Sequence, residues 1–287
     1  MTLPLALTAG IHTISAAEYH ADPCEKPSLS SGIAKLLLER PPYWAWAAHP
    51  KLNPYFKPQP PKAAFDIGSA AHAMLLEKGA GIQVCEFDNW LTKAAKEQRD
   101  AARAEGLTPI LASDYERTQE MARIAAEMLY GYTVDVKQTT NEVTMIAEVD
   151  SVLCRIRADI KLPTKIIDYK TTGVSLDNFA RQAAKFGYDL QAAMYLRVAE
   201  ELGEKCEWLF LVQETVAPYP VQLFKPTMEF LEVGKRKFAE AINIWSECLM
   251  LDEWPGYPQD IQMVDAMPWD LSDLNAEHEE NLLKGVE

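Results

Sequence analysis

The protein has 287 residues, 48% of them hydrophobic and 24% charged, which is typical of a globular chain. No run of about 18 apolar residues occurs, so we expect no membrane-spanning helix. Its five cysteines are scattered without a C-x-x-C pair, which argues against an iron–sulfur cluster and favours reduced thiols in a cytoplasm. The net charge is −14, but ten acids and one lysine after Leu251 carry −9 of it, so the acidity does not exclude a polyanionic partner for the remainder.

Helical patterns dominate the first half of the chain. Ser30 or Ser31 is a suitable N-cap for a short helix that Pro41 and Pro42 end. A proline-rich loop follows over residues 53–65. Further helices are predicted over residues 66–79, with Gly79 as the stop, over 89–106, and over 113–131 with a capping serine or aspartate.

Strands appear in the second half. Residues 141–150 and 152–162 predict a hairpin that turns at "DS", and residues 165–172 predict a third strand. Helices over 176–203, broken near Gly187, precede strands over 206–215 and 219–226 and a helix over 228–251. This order predicts an α/β fold in which helices flank a central mixed sheet. We expect one domain over residues 1–258, with a helical part at 1–131 and a sheet part at 132–258, followed by an acidic tail at 259–287.

The strand "KIIDYKTT" places a carboxylate and an ammonium group side by side. Successive strand side chains point to opposite faces, so Asp168 and Lys170 share one face and Tyr169 takes the other. Asp159, in "CRIRADIK", could approach them from the preceding strand. Two carboxylates aimed at one point repel unless a cation separates them, and Mg²⁺ or Mn²⁺ suits such ligands. By itself the pattern D-x(8)-D-x-K is also compatible with an ordinary surface ion pair.

Two helices add polar side chains at one-turn spacing. His72 follows Gly68 by four residues, and Gln191 precedes Tyr195 by four. Each pair alone also fits an ordinary helix surface. Glu142 and Glu148 are further carboxylates on one face of a strand, which could either join the metal site or, as we expect, be solvated strand residues.

The order of these motifs resembles the PD-(D/E)XK nuclease superfamily, in its RecB-like branch. More narrowly it is similar to the exonuclease VIII (RecE)-like nucleases of phages and prophages, through segments such as "FDIGSAAHAMLLE", "LCRIRADI", "IIDYKTT" and "LQAAMYL". One departure is Asp168, which stands where many relatives have glutamate. The resemblance implies catalytic or metal-binding roles for seven residues: Asp159, Asp168 and the carbonyl of Tyr169 as Mg²⁺ ligands, Lys170 as the catalytic lysine, His72 at or near a second metal, and Gln191 and Tyr195 at the nucleophile or scissile phosphate.

The same resemblance implies an activity and partners. It implies a Mg²⁺-dependent 5′-to-3′ exodeoxyribonuclease, with Mn²⁺ as a substitute, that digests linear double-stranded DNA and leaves 3′ overhangs for a single-strand annealing protein. It also implies a homo-oligomeric ring around the duplex and a location in the cytoplasm of a bacterial host. A related nuclease with endonuclease or single-strand preference, and a non-catalytic DNA-end or partner-binding module on the same fold, remain as alternatives.

Several basic and aromatic residues are candidates for contacts with DNA, and the tail for contact with the annealing partner. The stripe on residues 89–106 could equally be a solvated helix face, and the aromatic residues could serve packing. The candidates are Lys93, Lys96, Arg99 and Arg103 on one helical stripe, Arg155, Arg157 and Arg181 near the site, and Tyr43, Trp44 and Trp46 as wedges at a DNA end.

Overall fold

A six-stranded mixed sheet lies at the centre of the fold. The computed structural model describes residues 6–57, 64–76, 81–269 and 271, and the chain divides into two units, Met1–Pro255 and Gly256–Glu287. The strands are β1 (Gly10–His12), β2 (Ile82–Cys85), β3 (Thr108–Leu111), β4 (Thr140–Val149), β5 (Val152–Leu162), β6 (Lys165–Thr172), β7 (Glu207–Glu214) and β8 (Val221–Phe224). The large sheet has the order β1-β4-β5-β6-β7-β8, whereas β2 and β3 form a separate parallel pair.

Helices cover both faces of this sheet. They are α1 (Ala16–His20), α2 (Ser31–Glu39), α3 (Tyr43–Ala48), α4 (Ala64–Leu76), α5 (Lys93–Ala104), α6 (Ala112–Gly131), α7 (Phe179–Phe186), α8 (Tyr188–Glu201) and α9 (Met228–Leu251). One apolar cluster joins the sheet to α2, α7, α8 and α9, and a second joins it to α4 and α6. Only β6 and β7 pair in parallel within the large sheet. The predicted α/β fold with a mixed sheet between helices is confirmed.

Local chemistry accounts for the elements that the sequence predicted well. The β4–β5 hairpin turns at Asp150 and Ser151, whose φ angles of 48° and 66° match the primed turns that suit the twist of paired strands. Gly187 adopts φ 67° between α7 and α8, a left-handed conformation that favours glycine and breaks the helix there. Thr227 caps α9 by accepting a hydrogen bond from the backbone N–H of Phe230.

Other local predictions differ from the structure. The serine or aspartate cap predicted for α6 is wrong: Leu111 occupies the N-cap without a side-chain bond, because β3 runs directly into the helix. Asp114 instead pairs with Arg117, with 3.1 Å between the charged atoms. The elements β1, β2, β3, α1 and α3 were not predicted, since segments of three to six residues carry too little periodicity. The predicted stop at Gly79 lies outside the described residues.

Two further observations concern membrane-spanning helices and the exposed apolar residues of the second unit. Within the described ranges, no helix combines the length and apolar character that crossing a membrane would require. In the second unit, Ile261, Met263 and Val264 are almost fully exposed.

Candidate active site

The site lies in the middle of the sheet, where β5 and β6 separate. The two strands pair at Leu162–Lys165, Lys161–Ile166 and Ile160–Ile167, and the next pair in this register would be Asp159 and Asp168. There the ladder stops, and the backbone N–H of Tyr169 donates to Asp159 Oδ2 at 2.8 Å instead. The opening therefore brings two carboxylates together inside the sheet.

A backbone distortion in β4 accompanies this opening. Glu142 has φ 54°, a left-handed conformation that costs about 1–3 kcal/mol outside glycine. Ala158 packs in the cluster under α8, whereas Ile160, two residues further along the same strand, packs in the cluster under α4. The alternation of β5 side chains between the two faces of the sheet is therefore interrupted at Asp159. The expectation that Arg155, Arg157 and Asp159 share one face holds for the two arginines, but the regular pattern ends at Asp159.

Lys170 and Gln191 hold the Asp168 carboxylate from two sides. Lys170 Nζ lies 2.7 Å from Asp168 Oδ2, and Gln191 Nε2 donates to Oδ1 at 2.9 Å. Burial lowers the pKa of Lys170, but the charges of Asp168 and Asp159 outweigh it and the pKa is raised overall. The lysine is therefore a protonated, positioned cation. Its ammonium also lies 5.0 Å from the ring centre of Tyr188, a contact that the sequence did not predict.

His72 reaches the same opening from the other face of the sheet. Its Nε2 lies 2.6 Å from the carbonyl oxygen of Tyr169, and its Nδ1 lies 3.8 Å from Asp159 Oδ2. Gly68, one turn earlier, allows α4 to approach β6, since a Cβ there would lie only 2.9 Å from Thr171 Oγ1. The G-x-x-x-H spacing thus combines close packing with a side chain that reaches the opening.

Glu142 is a further carboxylate at the site, and the expectation that it is a solvated strand residue is wrong. Ligand-capable atoms of His72, Glu142 and Asp159 all lie within 4.8 Å of one another. The Glu142 carboxylate also pairs with Arg157. The sequence contained a signal for this position. Counting residue by residue along both strands from the predicted hairpin turn places Glu142 opposite Asp159. Glu148, by contrast, is exposed.

The electrostatics of the opening favour a bound cation. Burial is the main reason that the pKa of Asp159 rises to about 6, and the charge of Asp168 raises it further against the opposing effects of His72 and Lys170. Among the described residues the cluster with metal-ligand spacing is His72, Glu142 and Asp159, and Mg²⁺ or Mn²⁺ accepts its carboxylates and imidazole. Asp168, predicted as a ligand, lies beside this cluster and is held by Lys170 and Gln191. The residues present therefore fit the divalent metal that the sequence predicted.

Comparisons with known proteins agree with this geometry. The family described as "PDDEXK-like domain of unknown function (DUF3799)" matches residues 45–267, which is more than half of the chain. The chain belongs to this family. The predicted relationship to PD-(D/E)XK nucleases is thereby confirmed, while the narrower RecE-like assignment stays a prediction.

A solved structure has a similar fold. The crystal structure of a "putative exonuclease" from Eubacterium rectale superposes with a TM-score of 0.57 at 14% identity, over 91% of this chain and 98% of that one. At this identity the likeness concerns the fold. No curated protein matches the chain.

Two of the predicted residues are buried in the fold. Burial raises the pKa of Tyr195, and the charges of Asp168 and Asp159 raise it further, so this hydroxyl lies near the PDDEXK-like site. Tyr195, one turn beyond Gln191, is buried and packs edge-on against Trp208, with ring centres 5.3 Å apart. Its role at the nucleophile or phosphate stays a prediction. Arg155 is buried, donates to the carbonyl and hydroxyl oxygens of Ser28, and pairs with Asp22 at 3.3 Å. Its assignment as a DNA-channel residue is wrong, because its guanidinium is engaged inside the fold.

The remaining candidates for DNA contact stay predictions. On α5, Lys93 pairs with Glu97 at 3.6 Å and Arg99 with Asp100 at 2.9 Å, so this helix partly neutralises itself. Trp44 is 42% exposed and lies under the guanidinium of Arg40, 4.7 Å from the ring centre.

Proposed function

We propose that this protein is a divalent-metal-dependent 5′-to-3′ exodeoxyribonuclease that digests linear double-stranded DNA and leaves 3′ overhangs. The observation that carries the proposal is the convergence of Asp159, Asp168 and Lys170 at the fork of β5 and β6. A binding module would not need a protonated lysine held against buried carboxylates. The polarity and the substrate come from the resemblance to RecE-like nucleases.

The reaction is hydrolysis of a phosphodiester, in which water adds to phosphorus and one P–O bond breaks. Asp159, Asp168, Glu142, His72 and the Tyr169 carbonyl would hold Mg²⁺ or Mn²⁺, which when bound polarises the phosphoryl oxygen and lowers the pKa of a coordinated water.

The chain's own groups orient the reactants. The Lys170 ammonium can donate to a non-bridging phosphate oxygen, where negative charge grows in the transition state. Gln191 keeps the Asp168 carboxylate in one orientation, so neither partner has to reorganise during the reaction. We assign Glu142 to the metal because its carboxylate lies within 4.8 Å of ligand atoms of His72 and Asp159, and Arg157 fixes the orientation of that carboxylate.

The decisive experiment is digestion of a linear duplex labelled at either the 5′ or the 3′ end of one strand, with Mg²⁺ or with EDTA. We expect early release of the 5′ label in short products and late release of the 3′ label, and no release with EDTA. Equal cutting of closed circular DNA would indicate an endonuclease. A chain that hydrolyses none of these substrates would contradict the proposal.

We also propose a homo-oligomeric ring around the duplex and a single-strand annealing protein as partner. A ring could direct the acidic surface outward and basic residues toward DNA, which reconciles a net charge of −14 with a polyanionic substrate. Native mass spectrometry of the full chain tests this arrangement, and a monomer at micromolar concentration would contradict it.

A further inference from the structure

An exposed aromatic ring flanked by two lysines lies at the junction of α7 and α8. Phe186 is 45% exposed, and the ammonium groups of Lys35 and Lys185 each lie 5.8 Å from its ring centre. Lys35 Nζ also donates to the carbonyl oxygen of Phe186 at 2.9 Å. Lys35 also pairs with Glu39 at 3.6 Å, so it holds the ring at a defined place, while Lys185 is the cation beside the ring that has no acidic partner among the described residues.

This ring is one aromatic neighbour away from the catalytic amine. The ring centres of Phe186 and Tyr188 are 5.8 Å apart, and Tyr188 lies 5.0 Å from Lys170 Nζ. Gly187, in its left-handed conformation, separates the two rings along the chain. A strand whose phosphate lies at Lys170 can thus place a neighbouring base near Phe186.

The surface around Phe186 is basic in an otherwise acidic chain. The sequence of α7, "FARQAAKF", contains Arg181 and Lys185 and no acid. Both side chains are exposed, lie one turn apart, and form no ion pair with any residue in the described ranges. Such cations suit a phosphate backbone.

We propose that Phe186 stacks on an unpaired base of the DNA strand being cut, while Arg181 and Lys185 contact its backbone. This inference rests on the proposed nuclease function and adds that the strand is single-stranded where it meets the site. A base inside a duplex already has its faces stacked, so only a base that has left the duplex offers a face to an aromatic side chain.

The test is binding of a single-stranded oligonucleotide that carries 2-aminopurine, whose fluorescence falls on stacking. The protein is the full-length Lys170→Ala chain with Mg²⁺, so that cutting of the probe is slow compared with the binding measurement. We expect quenching with Phe186 present, and for Phe186→Ala a loss of quenching with affinity about five- to a hundredfold weaker. Phe186→Trp should retain both. Equal quenching and affinity for Phe186→Ala and its parent would overturn the inference.

Tyr130→Ala is the matched control, because Tyr130 is also an exposed aromatic residue (74%) but lies on α6, on the other face of the sheet. It should bind like the parent. Lys185→Gln should lower the slope of log affinity against log salt by about 0.7, as expected for one lost phosphate contact to a single strand. An unchanged slope would remove Lys185 from the contact.

Digestion by the chain with Lys170 intact separates the two proposals. A chain that digests duplex ends, but binds the probe equally with and without Phe186, overturns this inference and leaves the nuclease proposal in place. A chain that digests no DNA overturns the nuclease proposal. For a chain that digests no DNA, the stacking inference is still tested by the probe, and equal quenching with and without Phe186 would overturn it.

Discussion

At the scale of single residues, the site depends on groups that hold one another in defined charge states. Asp168 accepts from Gln191 and pairs with Lys170, and the charges of the two aspartates raise the pKa of Lys170 and keep its amine protonated. Among the described residues Asp159 has no comparably close cation, and its burial raises its pKa to about 6. The two aspartates thus lie in different electrostatic surroundings although they face each other across one fork.

Lys170→Ala should lower the rate of DNA hydrolysis by about a hundredfold to a thousandfold, because the cation beside the developing charge is lost. DNA affinity and thermal stability should change little. Single-turnover digestion and a gel-shift assay measure the two effects. The matched control is Lys165→Ala at the opposite end of β6, which should digest DNA at the normal rate. Preserved turnover in Lys170→Ala would remove the residue from the mechanism.

Metal affinity should depend on pH through Asp159. Because its pKa is raised to about 6, the carboxyl takes up a proton as the pH falls through that value and ceases to be a ligand. Calorimetric titration with Mn²⁺ should show affinity falling about tenfold per pH unit below 6. In the metal-free protein the same raised pKa makes the ionised group destabilising above about pH 6, so Asp159→Asn should be more stable there. Constant Mn²⁺ affinity between about pH 5 and 7 would contradict this account.

At the scale of elements, close helix packing places the site residues. Gly68 lets α4 approach β6 so that His72 reaches Tyr169. On the other face, Gly234 of α9 lies against the start of α8, where a Cβ would come within 2.0 Å of the carbonyl oxygen of Asp189. Because α8 carries Gln191, the contact with α9 also fixes one side of the site.

Gly234→Ala should destabilise the protein by about 3 kcal/mol, since backbone atoms cannot move aside as a flexible side chain can. Urea denaturation measures the change in the free energy of unfolding. Gly32→Ala in α2 is the control: a Cβ there meets no atom within 4 Å, so we expect unchanged or slightly raised stability. Equal stability of the two variants would show that α8 and α9 adjust more freely than the packing indicates.

At the scale of the whole molecule, a buried polar cluster attaches the N-terminal segment to the sheet. Asp22, Ser28, His49 and Arg155 are all buried. Asp22 Oδ2 lies 3.1 Å from His49 Nε2 and 3.3 Å from the Arg155 guanidinium, and Ser28 donates to the same carboxylate through both its backbone and its hydroxyl. Arg155 therefore serves the fold, four residues away from Asp159 on the same strand.

Acid should unfold the protein partly through Asp22. Burial alone would raise its pKa, but the hydrogen bonds from His49 and Ser28 and the charge of Arg155 lower it to about 2. Its contribution is therefore present above the unfolded value of 3.8 and is lost as the pH falls toward 2, on the order of 2 kcal/mol.

Asp22→Asn tests this contribution. It should reduce the dependence of unfolding free energy on pH between about 4 and 2, and it should cost about 3 kcal/mol at neutral pH because Arg155 loses its buried partner. Asp88→Asn, at an exposed aspartate, should behave like the unmodified protein. The same acid sensitivity in Asp22→Asn would show that other carboxyl groups dominate.

Removal of the residues after Pro258 should leave nuclease activity within about twofold, since every residue assigned to the site lies before Glu201. The measurement is the rate of end digestion by the truncated and complete chains. If the tail recruits an annealing partner, only the partner's co-purification with the chain should be lost. A large loss of digestion would place the tail in the catalytic reaction.

Local chemistry made several features predictable from the sequence alone. The hairpin at Asp150 and Ser151, the break at Gly187 and the helix Met228–Leu251 depend on turn geometry, glycine and capping, which act between near neighbours. The pairing of Asp168 with Lys170 follows from the two-residue period of a strand. These interactions need no knowledge of what packs against the segment.

Only the tertiary structure decided which distant groups meet. The left-handed conformation at Glu142 interrupts alternation, so a strand acid enters the site, whereas Arg155 turns inward to Asp22 and leaves the surface. Tyr188 and Phe186 approach Lys170 because the junction of α7 and α8 folds over the end of β6. Such contacts depend on how helices pack on the sheet, which brings together residues that are far apart in sequence. The local periodicity of a segment contains no information on that packing.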